Sequence, residues 1–115
     1  TEETYPDGSP KTVVIYTIQG NKREKSGEIL YYPGGKVQCE GEYRDDKKDG
    51  KFTFYYENCN KWSEGYFKNG VSDGEITTWY ENGQKRYEGY FKNGKQSGKW
   101  KYWEENGNLQ KEEKY

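Results

Sequence analysis

The sequence predicts an all-β protein, an elongated single-layer antiparallel β-meander of stacked hairpin repeats with about nine strands. Three observations carry that expectation: glycines at a fixed spacing, turn dipeptides that punctuate it, and a supply of rings in place of an aliphatic core. Gly27, Gly50, Gly74 and Gly98 are separated by 23, 24 and 24 residues, and Gly41, Gly65 and Gly89 form a second series spaced 24 and 24. Self-similarity at a fixed period of this length marks a repeat architecture.

The text between the glycines repeats with them. EGYFKNG stands at 64–70 and at 88–94, with EGEYRDD at 40–46 as a weaker copy. YYENCNK (55–61), WYENGQK (79–85) and WEENGNL (103–109) form another series. Glu112 and Tyr115 continue two columns at the next step, while Glu113 stands where glycine is expected and marks the end of the array. The chain divides accordingly into a partial or capping unit at 1–26 and repeats at 27–49, 50–73, 74–97 and 98–115. Together they form one repeat domain.

Each unit reads as a hairpin. FTFYY (52–56) and ITTWY (76–80) are rich in β-branched and aromatic residues, which suit a pleated strand. Asn-Gly at 69–70, 82–83, 93–94 and 106–107 supplies turns, because both residues tolerate positive φ. At the front, Tyr5-Pro6-Asp7-Gly8 resembles a turn and Val13–Ile18 is the most aliphatic strand. Repeat one is a residue short between Gly27 and Tyr31, so a bulge or register shift is expected there.

The composition agrees with a thin sheet. Mean hydropathy is −1.50, yet 13 Tyr, 4 Trp and 4 Phe outnumber the ten Val, Ile and Leu residues. Each ring buries roughly 150–250 Å², worth about 4–6 kcal/mol gross as an upper bound. Glycines in mid-strand cost up to ~1 kcal/mol unless a ring lies across the bare backbone. Gly41, Gly65 and Gly89 are therefore assigned to receive an aromatic such as Tyr56 or Tyr80, and Gly65→Val is expected to destabilise strongly. Gly50, Gly74 and Gly98 are read as structural too.

Nineteen basic residues against twenty acidic ones, closely mixed, leave a net charge of −1. That is not the footprint of a nucleic-acid binder, and it offers little attraction to anionic lipid. No apolar run approaches the ~20 residues of a membrane-spanning helix. A chain that begins at Thr1 fits either an exported form with its signal removed or a trimmed one. The location leans towards export or a bacterial envelope, with the cytoplasm as the alternative.

The string YEGYFKNGKQSGKW (87–100) resembles a MORN repeat: aromatic-x-Gly-x-aromatic, then Asn-Gly-Lys, then Gly-x-aromatic. The YENG turn before it is similar to the bacterial MORN-variant family, many of whose members are assigned as antitoxins of toxin–antitoxin systems. The resemblance covers about 27–115, is strong over 64–107, and departs at Cys59, where the turn glycine is missing. It implies stacked hairpins and a role in protein–protein or membrane-surface contact, without catalysis.

The residues agree with a non-enzyme. There is no His, which removes the commonest general base, the His-activated nucleophiles and most zinc sites. Glu40, Glu64 and Glu88 form a column with members roughly 9–10 Å apart, near the ~6.5–9.5 Å gap of an inverting glycosidase. A carboxylate at every repeat is also what structural repetition requires, and that is the reading taken. The turns Arg44–Asp49 and Val71–Asp73 lack the alternating oxygen ligands of a calcium loop. No cofactor or metal is expected. Cys39 in a strand, facing about residue 56, and Cys59 in a turn lie too far apart for a bridge, so both are expected as free thiols.

Strand alternation sends Phe54, Tyr56, Ile76, Tyr80, Trp100 and Tyr102 to one face, expected to be the packed, concave one. Tyr55, Trp79 and Trp103 go to the other and form the candidate partner-facing stripe. The function expected is a protein-binding repeat module, antitoxin- or immunity-like or an envelope interaction protein. The alternative is a cell-wall, carbohydrate- or membrane-surface binder, with glycan or lipid contact. Choline-binding repeats mix similar residues, but in units nearer 20 residues with less charge. The charged end Gln110–Tyr115 blunts one sheet edge, so a monomer or a weak edge-paired dimer is expected.

Overall fold

A computed structural model describes residues 2–115, with side chains from Thr4 onward. Ten strands follow one another in a single antiparallel sheet whose spatial order is the chain order. They are β1 (Glu2–Thr4), β2 (Pro10–Gln19), β3 (Lys22–Tyr31), β4 (Val37–Arg44) and β5 (Lys47–Tyr55), then β6 (Lys61–Lys68), β7 (Val71–Trp79), β8 (Lys85–Lys92), β9 (Lys95–Trp103) and β10 (Leu109–Lys114). The tenth strand beyond the expected nine is β1, three residues long. The extents are 50 × 34 × 15 Å, those of a slab one sheet thick. No helix of the described residues is long and apolar enough to cross a membrane, which says nothing about crossing with strands.

The two ends of the sheet use different turns. At one end, Asp45-Asp46, Asn69-Gly70 and Asn93-Gly94 all have positive φ, the two-residue turn expected for Asn-Gly. At the other, Asn82 does not have positive φ; only Gly83 does, at 88°. There the Tyr80 amide donates to the Gln84 carbonyl and the Gly83 amide to the Tyr80 carbonyl, so the loop is longer by a residue. Asn58, Asn82 and Asn106 serve instead through their side chains, each accepting the amide two residues on at 2.9–3.0 Å. Cys59 takes the glycine's place in this turn at φ 74°.

The glycine series separate into two roles, and the register corrects the sequence assignment in three respects. Gly50 and Gly74 lie at irregularities where three residues of β5 or β7 face one of the preceding strand, with φ of 111° and 122° that favour glycine. Gly27 does not belong with them. It faces Glu42 as Lys51 faces Tyr66 and Glu75 faces Tyr90, so Ser26 is the counterpart of Gly50. The short spacing in repeat one is this one-residue slip. Nor do Tyr56 and Tyr80 cover the second series. A Cβ on Gly41 would enter the Phe52 ring and one on Gly89 the Trp100 ring, while at Gly65 the neighbour is the Ile76 methyl at 2.8 Å.

Cys39 faces Phe54 rather than residue 56, in the same β4–β5 register that sets Glu40 opposite Thr53 and Gly41 opposite Phe52. Both cysteines are free, Cys39 buried and Cys59 exposed. Burial pushes the Cys39 thiol up to about 11, which disfavours the reactive thiolate. In native protein at neutral pH, a chromogenic disulfide reagent is expected to titrate one thiol, at Cys59, with the second released only on unfolding. Two fast thiols would show that the strand around Cys39 is open.

Candidate binding face

The register gives the two faces of the slab different chemistry. One is a ring face. Phe52 packs between Tyr43 and Phe67 at 5.5 and 5.1 Å, and Trp62 meets Phe54 and Tyr56. Trp100 gathers Tyr87, Phe91, Tyr102 and Tyr115 at 5.1–6.4 Å. Phe52 and Trp100 are only 3% and 2% exposed, so this face holds the core. Such ring pairs add about 0.5–1.5 kcal/mol each beyond area burial.

The opposite face is a ladder of charged and hydroxyl side chains. Glu40 faces Thr53, Thr53 faces Glu64, Glu64 faces Thr77, Thr77 faces Glu88, and Glu88 faces Lys101. Burial would raise the Glu64 carboxyl, but Lys61 at 3.0 Å, the Thr53 hydroxyl at 3.2 Å and Lys51 hold it below its ordinary value. Glu88 pairs with Lys85 at 3.0 Å. These partly exposed pairs contribute little stability each, of order 0–1 kcal/mol. The carboxylates of the column are thus engaged with lysine or hydroxyl partners, and none is poised against a second carboxylate.

Tyr55, Trp79 and Trp103 stand together on this ladder face, one per repeat and each half-buried. Tyr55 is opposite Lys61, Trp79 opposite Lys85, and Trp103 opposite Leu109. The Lys85 ammonium lies 5.7 Å from the Trp103 ring centre. The Tyr55 hydroxyl donates to Glu40 at 2.7 Å, and burial together with this bond pushes its phenol up to about 12. Tyr66 and Tyr90, 43% and 44% exposed, lie on the same face beside the stripe. They were missed in the sequence because they follow the glycines that attract attention. Gly41, Gly65 and Gly89 face the ring side, and Gly50 and Gly74 sit at strand irregularities, away from the stripe; Gly98 has φ 71°.

A one-layer slab with a ring-packed face and a charged, aromatic-striped face defines a repeat protein built to present a surface. The family model for the MORN repeat variant matches residues 28–45, 48–69, 72–93 and 96–115, more than half of the chain. The chain belongs to the MORN repeat variant family. Repeats of this family are in general protein- or membrane-binding modules without catalytic activity. No curated protein and no solved structure matches the chain.

Proposed function

We propose that this chain is a non-enzymatic protein-binding module that grips its partner with the ladder face, in an antitoxin- or immunity-like role or as an envelope interaction protein. The observation that carries the reading is the Tyr55–Trp79–Trp103 stripe, set beside charges on the face opposite the buried Phe52 and Trp100. Half-exposed Tyr and Trp within a polar surround are the composition of protein interface anchors. The mixed charges suit a protein better than an anionic membrane, which selects basic clusters. The outer strand β10 is exposed along its whole length and carries Lys111, Glu112, Glu113 and Lys114, which discourages edge pairing and favours a monomer.

The test compares the wild type with a Trp79→Ser/Trp103→Ser variant that melts within a few degrees of it. Both are presented to host extract, to anionic phospholipid vesicles and to a glycan array. The expected result is a saturable protein partner lost by the variant, with no retention on vesicles or glycans. Stripe-dependent binding to vesicles or sugars would overturn the reading in favour of a surface- or wall-binding protein. A partner captured equally by the variant would move the interface elsewhere.

A further inference from the structure

The outer strands of the sheet are protected unequally. At one end, β10 carries Lys111, Glu112, Glu113 and Lys114, charges that keep another strand from docking. At the other, β2 runs from Pro10 to Gln19, but β1 pairs only with its first part: Glu2 faces Val13, Glu3 faces Thr12 and Thr4 faces Pro10. Among the described residues no strand lies against the outer side of Ile15–Gln19, whose inner side pairs with β3. An edge of this kind presents unpaired N–H and C=O groups, a template for one more strand.

The side chains along that stretch carry none of the usual protection. In a chain that is 34% charged, Val14–Gln19 holds no charged residue and no proline. Ile18 is 71% exposed and Ile15 44%. Alternation sends Ile15 to the ladder face, opposite Gly27, and Tyr16 and Ile18 to the ring face, opposite Lys25 and Arg23. A β-branched, uncharged, proline-free run on an open edge pairs readily with extended chain. The mode is already present on the same edge, where β1 is a short extended segment laid antiparallel along Pro10–Val13.

We propose that Ile15–Gln19 receives an extended, uncharged segment of a protein partner, rich in β-branched residues, which adds a strand to the sheet alongside β2. This edge is a different surface from the ladder face, so the two sites stand or fall separately. Main-chain pairing supplies the affinity and alternate side chains the selectivity. Ile15 packs best with an aliphatic neighbour on one face, and Tyr16 and Ile18 with apolar neighbours on the other. A second copy of this chain meets those demands poorly. Its β10 would bring lysines and glutamates against Ile15 and Ile18. Two β2 edges paired antiparallel stop where each β1 begins, and in the longest register left to them Gln19 faces Ile15. A partner's free segment has no such constraint.

The test is amide hydrogen exchange, read by NMR on the full chain, with a capped peptide Lys-Val-Thr-Val-Thr-Val-Lys. Its fully N-methylated copy, which keeps the side chains but has lost its N–H donors, is the control. The first peptide is expected to slow exchange within Ile15–Gln19 and leave β10 unchanged, and the control to do neither. Ile18→Lys, at an exposed position, is expected to keep the wild-type melting midpoint and to weaken the peptide response about tenfold, because a lysine is a natural guard of an edge. Edge amides already protected in the dilute free protein would mean that the chain covers its own edge. Protection that rises with protein concentration alone would make a second copy the occupant. Either result overturns the assignment, as do no protection at millimolar peptide, equal protection along β10, an active control peptide, or a response that Ile18→Lys leaves intact. If the edge fails while partner capture still depends on Trp79 and Trp103, the ladder-face reading stands.

Discussion

Gly89→Val is expected to cost roughly 3 kcal/mol or more, the upper range for overpacking a filled site, and to lower the melting midpoint by on the order of 12–20 °C. The cause is steric and local. Gly89 is not among the positive-φ residues, so its backbone would accept a side chain. A Cβ there would stand inside the Trp100 indole, which is 2% exposed and held by Tyr87, Phe91 and Tyr115, with its ring N–H donating to the Tyr90 and Ser97 carbonyls at 3.2 Å. The indole has nowhere to go without breaking those bonds. Gly65→Ala is the internal comparison. It meets the end of Ile76, a flexible group, and is expected to cost about 1 kcal/mol. In a Trp100→Ala background, adding Gly89→Ala should then cost almost nothing, since the pair interact directly. If Gly65→Ala and Gly89→Ala shifted the midpoint equally, the ring would not be what the glycine accommodates.

That contrast shows where sequence reasoning succeeds and where it stops. The 24-residue recurrence of glycine and paired aromatics marks a repeat array, and Asn-Gly between short β-branched and aromatic runs makes its units hairpins. The same recurrence separates the two faces, since alternation along Lys51–Tyr55, Thr77–Trp79 or Lys101–Trp103 needs no knowledge of a neighbour. Cross-strand phase is different. Whether Gly41 faces Phe52 or Tyr56 depends on turn length and bulge position, and one slip moves every partner. The slip at Gly27 is invisible in spacing alone: a glycine 23 residues before Gly50 reads as the same column with a deletion, whereas pairing places it opposite Glu42. The stripe of Tyr55, Trp79 and Trp103 was legible because it lies in one column and asks nothing of phase.

Removing three hydroxyls, with Tyr32→Phe, Tyr56→Phe and Tyr80→Phe combined, is expected to cost about 3 kcal/mol, near 1 kcal/mol per bond. Each of these tyrosines sits at the start of the longer turn and donates to a main-chain carbonyl one repeat on. Tyr32 reaches Tyr55, Tyr56 reaches Trp79, and Tyr80 reaches Trp103, all at 2.7–2.8 Å. Tyr5 does the same to Tyr31. Adjacent hairpins therefore share more than their strand ladder, and the acceptor in each case is a residue of the column that bears Tyr55, Trp79 and Trp103. The bonds share no partner and lie about 10 Å apart, two strands, so the three losses should add within ~0.5 kcal/mol, as expected for an array stabilised by nearest-neighbour contacts. Alkaline titration supplies an independent check. Burial raises the phenols of Tyr32 and Tyr56 above their ordinary value. Unfolded chain then releases these protons first, near pH 10, binds fewer of them than the folded chain in that window, and stability falls as pH rises through it. Wild type should thus lose stability above about pH 10 more steeply than the triple variant. Equal slopes in the two proteins, or a triple variant as stable as wild type, would mean that the hairpins are held together by their strands alone.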